Sequence, residues 1–316
     1  KVVFILLLLF WGMEGLKAWG FFAHRMINRV AVFSLPLEMI GFFKENIQFI
    51  TENAVNPDRR RYAVEGEAEK HFIDADVFGD SAVFKLPRYW NQAVALYGED
   101  TLRAYGTGPW NVYAVKLDLT EAFARKDPEA ILRLAADLGH YIADINVPLH
   151  TTVNYNGQLT GQNGIHGFWE SRIPELLASD YDLFVGKASY LNNPQLTAWE
   201  AVIQAHRAVD SVLRFEKELT RQFKEDKKYS FIDRGNLSTK TYSREFTQAY
   251  SDLLDGQVER QMRKSIKMTA DFWYTAWVDA GQPDLNALLK HPVPYSDLRD
   301  SLEYELENIR EHEGPQ

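Results

Sequence analysis

The sequence predicts an all-α fold, and three observations carry that expectation. Apolar residues recur at three-four spacing over long segments, strict alternation of apolar and polar residues is nearly absent, and Gly and Pro fall in short clusters between the periodic segments. Ile131, Leu134, Ala135, Leu138 and Ile142 form one stripe, and Tyr250, Leu254, Val258, Met262, Ile266, Ala270, Trp273 and Trp277 form a second. Each would turn one face of a helix toward a core. The stretch NYNGQLTG at 154–161 is a weak hairpin signal. With 316 residues, 46% hydrophobic and 13% aromatic, the chain can bury a sizeable core, and roughly eight to ten helices are expected. Breakers at Pro36, Asn56-Pro57, Pro87, Gly106 to Pro109, Pro148, Asn192 to Pro194 and Gly281 to Pro283 divide them. None is long or low in complexity, so neither a linker nor a repeat is predicted.

Along the chain, KVVFILLLLFWGMEGLKA (residues 1–18) begins basic, runs through an apolar stretch too short to span a bilayer comfortably, and ends on a small residue. It predicts a cleaved secretory signal peptide and a secreted or periplasmic mature domain over 19–316 that begins at Trp19. Glu14 and Lys17 after the apolar run argue against a retained anchor. WGFFAH then opens a helix carrying His24, PDRRRYA carries Asp58 and Arg61, and HFIDAD carries His71, Asp74 and Asp76. Next come LGHYIADINVPLH with His140, Asp144 and His150, the loop TTVNYNGQLTGQNGI (151–165) with Tyr155, and GIHGFWESRIPEL with His166 and Glu170. His206, within the amphipathic WEAVIQAHRAV, reads as structural; FKEDKKYS (223–230) reads as a solvated loop, and His291 and His312 as exposed.

The chain has no cysteine, which excludes disulfides and thiolate ligands, so any bound metal must rest on imidazole and carboxylate. Its formal net charge of −9 is a poor footprint for tight, sequence-independent nucleic-acid binding, which relies on Lys and Arg. Catalysis on phosphate esters stays open, since bound cations reverse the local potential. Residues four apart share a helix face, so His140 with Asp144, and His166 with Glu170, can each present an imidazole and a carboxylate to one point. A lone pair of this kind is an ordinary ion pair. Its weight comes from five of the eight histidines, His24, His71, His140, His150 and His166, each lying near an acid or a helix edge.

In this order, Trp19, His24, Asp58, His71, His140, Asp144, His150, His166 and Glu170, with the H-x-x-x-D-x-x-x-x-x-H element, the mature chain to about Leu176 resembles the zinc-dependent phospholipase C and single-strand-specific nuclease superfamily. The resemblance implies a multi-helical domain with a trinuclear zinc site. It implies that Asp58, His71, His140 and Asp144 hold one Zn2+, that His150, His166 and Glu170 hold a second, and that His24, Asp144 and the free α-amino and carbonyl groups of Trp19 hold a third. Cleavage after Ala18 would then create a ligand. The Trp19-to-His24 interval is similar to the nucleases, whereas Glu170 and the short interval before it are similar to the bacterial phospholipases. The family's fungal and plant nucleases carry cysteines that this chain lacks.

The expected reaction is phosphate ester hydrolysis by metal-activated water. Asp58 or Asp144 would serve the reacting water, Asp74 or Asp76 proton transfer, Arg61 a contact to phosphate, and Tyr155 a base or a lipid headgroup. Expected partners are a phospholipid headgroup or single-stranded nucleic acid as substrate, transient membrane-surface contact, no stable nucleic-acid complex, and a monomeric state. Two other classes compete: a di-iron carboxylate bundle, which prefers Glu-x-x-His pairs, and a non-catalytic zinc-binding protein of the envelope.

Overall fold

The computed structural model describes residues 20–234 and 237–290. The predicted leader, Trp19, His291 and His312 lie outside the described residues. The fold is all-α, with helices α1 (Phe21–Ala31), α2 (Leu37–Glu45), α3 (Ile47–Glu52), α4 (Asn56–Arg60), α5 (Trp90–Tyr97), α6 (Glu99–Ala104), α7 (Gly108–Arg125), α8 (Pro128–Asp144), α9 (Ile165–Gly167) and α10 (Ile173–Leu177). Then follow α11 (Pro194–Arg207), α12 (Val209–Gln222), α13 (Glu225–Lys228), the antiparallel strands β1 (Tyr229–Arg234) and β2 (Leu237–Tyr242), α14 (Arg244–Leu253) and α15 (Gln257–Asp279). The described helices outnumber the expectation because several are single turns of three to six residues, too short to leave a periodic signal.

Helix α8 starts where its sequence says it should. Asp127 caps it through the Ala130 amide at 3.1 Å, and Pro128 occupies the first turn. It packs against α7, α15 and α1, and the buried apolar side chains of these helices belong to one contiguous core cluster. The second predicted stripe is buried from Tyr250 to Trp277 as expected. It belongs to two helices, however, because Gly256 takes a left-handed backbone (φ 70°) between α14 and α15.

Two local expectations are corrected. The 154–161 stretch forms turns, closed by amides of Gly157, Thr160 and Gln162, and the hairpin lies at 229–242 instead, Tyr229 opposite Tyr242. Tyr242 anchors it by stacking on Phe168, with ring centroids 3.8 Å apart, a long-range contact invisible to short-window patterning. The solvated reading of 223–230 holds for Lys224 to Lys227, but Glu225 to Lys228 form a helical turn rather than a loop, and Lys228 is buried with Nζ 2.8 Å from Glu216. Burial of that cation is tolerable because the carboxylate accompanies it.

Candidate metal centre

Every residue from Ala135 to His150 is buried, so the polar side chains in this span must find partners in the interior. Gly139 sets the geometry. A Cβ there would stand 2.0 Å from Asn28 Oδ1, and Asn28 Nδ2 donates to the Ala136 carbonyl at 3.0 Å. The missing side chain therefore lets α1 lie close on α8, which brings the His24 ring over His140, centroids 3.9 Å apart and 17° from parallel.

Around Asp144, donors from separate elements converge. His71 Nδ1 lies 2.8 Å and His140 Nε2 3.2 Å from Asp144 Oδ2, and the two nitrogens are 3.1 Å apart. Asp58 Oδ1 is 3.9 Å from His71 Nδ1 and 3.8 Å from His140 Nε2. His24 Nε2 is 3.4 Å from Asp144 Oδ1. Tetrahedral zinc with bonds of about 2.0–2.2 Å needs donor atoms about 3.3–3.6 Å apart, and these separations straddle that value. Both Asp58 oxygens, Asp144 Oδ1 and both His24 nitrogens are buried without a hydrogen-bond partner, which is the condition a cation would relieve.

A second group lies across Asp144. His150 Nε2 is 3.1 Å from His166 Nε2 and 3.5 Å from Glu170 Oε2, and His166 Nε2 is 2.9 Å from the same oxygen. Backbone carbonyls orient the rings: His140 Nδ1–H donates to Ala54 at 2.8 Å, His150 Nδ1–H to His71 at 2.6 Å, and His166 Nδ1–H to Tyr155 at 3.1 Å. With Nδ1 donating to a carbonyl, each ring turns Nε2 inward with its lone pair available to a cation, the orientation metal-binding histidines adopt. Two such lone pairs 3.1 Å apart repel unless a cation sits between them. Glu170 reaches this point from a π-helical segment, Phe168–Arg172, ahead of Pro174, whose missing N–H withholds an α-helical partner from the Glu170 carbonyl.

Electrostatics keep His71, His166 and Asp144 in binding form, whereas Asp58 is held toward its protonated form. Burial lowers the His71 and His166 pKa values to about 4, so both are neutral at physiological pH. Burial alone would raise Asp144, but His140 and His150 beside it hold it well below the usual carboxylate range. Asp58 is pushed well above that range, first by burial and then by Asp144 and Glu170 against the pull of His24.

The centre opens on a cavity of about 180 Å³ lined by Arg61, Phe72, Asp74, Leu149, His150, Tyr155 and His166. Arg61 and Tyr155, expected from the sequence to contact substrate, both line this cavity. Asp74 and Asp76 separate. Asp74 is buried on the cavity wall with its pKa raised to about 7, by burial and then by Asp76. Asp76 is exposed and accepts hydrogen bonds from Thr152 Oγ1 at 2.6 Å and the Val153 amide at 3.0 Å, holding the strand of loop beyond His150. His206, read as structural, touches Thr151 through Nδ1, 3.0 Å from the carbonyl and 3.1 Å from the hydroxyl. Sequence reasoning missed Phe72 and Leu149, ordinary apolar residues whose only signal is adjacency to His71 and His150. Trp19, expected to complete a third site with His24 and Asp144, lies outside the described residues.

No protein-family model matches the chain, and no curated protein matches it. Among solved structures it is similar to the alpha toxin of Clostridium absonum, at 12% identity over 83% of this chain and 64% of that one, with a TM-score of 0.46. It is also similar to the alpha-toxin of Clostridium perfringens avian strain SWCP, at 15% identity over 83% of this chain and 65% of that one, with a TM-score of 0.48. The chain spans a little under two thirds of the length of those toxins. Likeness of this degree leaves activity to be argued from the chain's own residues.

Proposed function

We propose that the chain is a zinc-dependent phosphodiesterase of the phospholipase C type, secreted or periplasmic and monomeric. The observation that carries this reading is the confrontation of buried imidazole nitrogens, three of the four rings oriented by carbonyls, with carboxylate oxygens on both sides of Asp144. His71, His140, Asp144 and Asp58 would hold one ion, His150, His166 and Glu170 a second, and His24 with Asp144 and the amino terminus at Trp19 a third. When bound, zinc supplies a hydroxide nucleophile near neutral pH and charge neutralisation for the phosphoryl group.

The chain's own residues then divide the remaining work. Arg61, which has no ion-pair partner among the described residues, binds a phosphate oxygen from the cavity wall, where its planar fork matches the anion. Asp74, whose protonated form burial favours, delivers a proton from its carboxyl to the departing ester oxygen. Phe72, Leu149 and Tyr155 exclude water and bracket the alcohol portion of the substrate. Asp76 acts by fixing residues 152 and 153, which keeps His150 in line. No helix among the described residues is long and apolar enough to cross a membrane, and exposed Tyr62 and Leu159, close in sequence to Arg61 and Tyr155, suit transient contact with a lipid surface. Tyr155 and Phe72 beside Arg61 would also suit a stacked base, which makes a nuclease the second reading.

Metal analysis of the purified mature protein, paired with turnover of phosphatidylcholine vesicles and of single-stranded DNA, tests the proposal. Zinc retention, release of phosphocholine and loss of both metal and turnover in Asp144→Asn are expected. Faster cleavage of the DNA supports the nuclease reading. Zinc without hydrolysis of either substrate, iron in place of zinc, or an Asp144→Asn protein with full metal content and normal turnover overturns it.

A further inference from the structure

The donors assigned to the first ion come from three elements: Asp58 from α4, His71 from the 3-10 turn Ala68–His71, and His140 and Asp144 from α8. Nothing in the backbone of any one of them sets its distance from the others. One side chain touches all three. Arg60 lies two residues beyond Asp58, and its Nη2 stands 2.9 Å from Asp137 Oδ2 and 3.2 Å from Glu67 Oε1, with Nη1 3.5 Å from Asp137 Oδ1. Asp137 is one turn before His140 on α8, and Glu67 is four residues before His71. Glu67 also accepts a hydrogen bond from the Tyr141 hydroxyl and from Lys70 Nζ, the latter at 2.8 Å. The Tyr141 ring packs edge-on against both His71, centroids 5.4 Å apart, and His140, 5.6 Å apart.

Glu67 and Tyr141 are each 2% exposed and Asp137 7%, so the network is largely interior, and it keeps Arg60 and Glu67 charged. Arg60 stays protonated despite burial because Asp137, Tyr141 and Glu67 surround it, and Glu67 is held below its usual value by Arg60 and Lys70 against the effect of burial. Buried ion networks add little net stability over an apolar substitute, and their best-attested use is to specify one arrangement. Here the arrangement specified is the mutual spacing of ligand-bearing segments.

We infer that Arg60 is a positioning residue for the metal centre, a guanidinium fork that ties α4, the His71 turn and α8 at the spacing the first ion needs. The inference rests on the metal-site reading above. Lysine cannot replace the fork, since a single ammonium lacks the planar, multi-directional donor set that meets two carboxylates on different elements. Side chains that orient ligands in this way change metal affinity by about 10–100-fold when altered.

The test measures zinc affinity by chelator competition for wild type, Arg60→Lys, Tyr141→Phe and Lys116→Ala, with folding checked by circular dichroism and urea midpoint. Tyr141→Phe keeps the ring against both histidines and removes only its link to Glu67, so it stands in if the Arg60 variant fails to fold. Lys116→Ala breaks the pair between buried Lys116 and exposed Asp279, far from the donors in sequence and on other helices, and serves as the stability control. Expected are a 10–100-fold weaker affinity in Arg60→Lys, a several-fold loss in Tyr141→Phe, and unchanged affinity in Lys116→Ala despite a lower midpoint. If wild type binds zinc and both network variants bind it within twofold of wild type, Arg60 is a stability element only and the inference fails. If wild type binds no zinc, the failure is that of the metal-site reading itself.

Discussion

Replacing Asp74 with Asn should make the metal-free protein more stable at alkaline pH while impairing turnover of the loaded enzyme. The Asp74 carboxyl faces a cavity whose other charged or titratable walls are Arg61, His150, His166 and Tyr155, with Asp76 nearby, and burial raises its pKa from 3.8 to about 7. Between those values the folded protein keeps a proton that the unfolded chain has released, so stability falls as pH rises through the window. At about 1.36 kcal/mol per unit the full shift corresponds to about 4 kcal/mol, and water reaching the carboxyl through the cavity mouth reduces this to roughly 2–4 kcal/mol. Asn cannot ionise. The stability of the variant relative to wild type should therefore climb by that amount between pH 4 and pH 8, measured by urea unfolding in the presence of chelator. Taking the difference against wild type removes the contributions of other titrating groups. A difference that stays flat across this range would refute the burial argument, and normal turnover by the zinc-loaded variant would remove Asp74 from proton transfer.

Three further perturbations address the scaffold and the cavity. Gly139→Ala drives a methyl into Asn28, and overpacking together with a lost Asn28 hydrogen bond should lower unfolding free energy by about 2–4 kcal/mol; an unchanged urea midpoint would mean that α1 can withdraw at no cost. Asp76→Ala frees Thr152 and Val153, so amide hydrogen exchange over 152–160 should quicken by tenfold or more with little change in α8, and unaltered exchange there would remove the clamp role. Arg61→Ala should raise KM for a phosphodiester by about 10–100-fold, the equivalent of losing one charged hydrogen bond, and an unchanged KM would place the phosphate elsewhere.

Most of the proposed donors were legible as a pattern because they are the chain's unusual residues. A His and an acid four apart on one helix, repeated at His140–Asp144 and His166–Glu170, is a local signal, and both pairs do face a common point. What stayed undecided was also local. PDRRRYA offers three arginines in succession with nothing to separate their roles, yet Arg60 turns inward to Glu67 and Asp137 while Arg61 lines the cavity. HFIDAD offers two aspartates, and only the fold sends Asp74 to the cavity wall and Asp76 to the loop beyond His150. The 229–242 hairpin escaped because its strands are short and its anchor, Tyr242 on Phe168, joins segments far apart in the chain.

Helical class, the buried faces of α8, α14 and α15, and a ligand chemistry confined to imidazole and carboxylate are all readable along the chain, because side-chain periodicity and residue type are properties of short stretches. Which of those groups meet is a matter of packing in three dimensions. That outcome depends on the Asn28-to-Ala136 contact across 108 positions, which seats His24 over His140, and on the His71 carbonyl that turns His150 from 79 positions away. Such distances are set by close packing of helices in three dimensions, which no local pattern encodes.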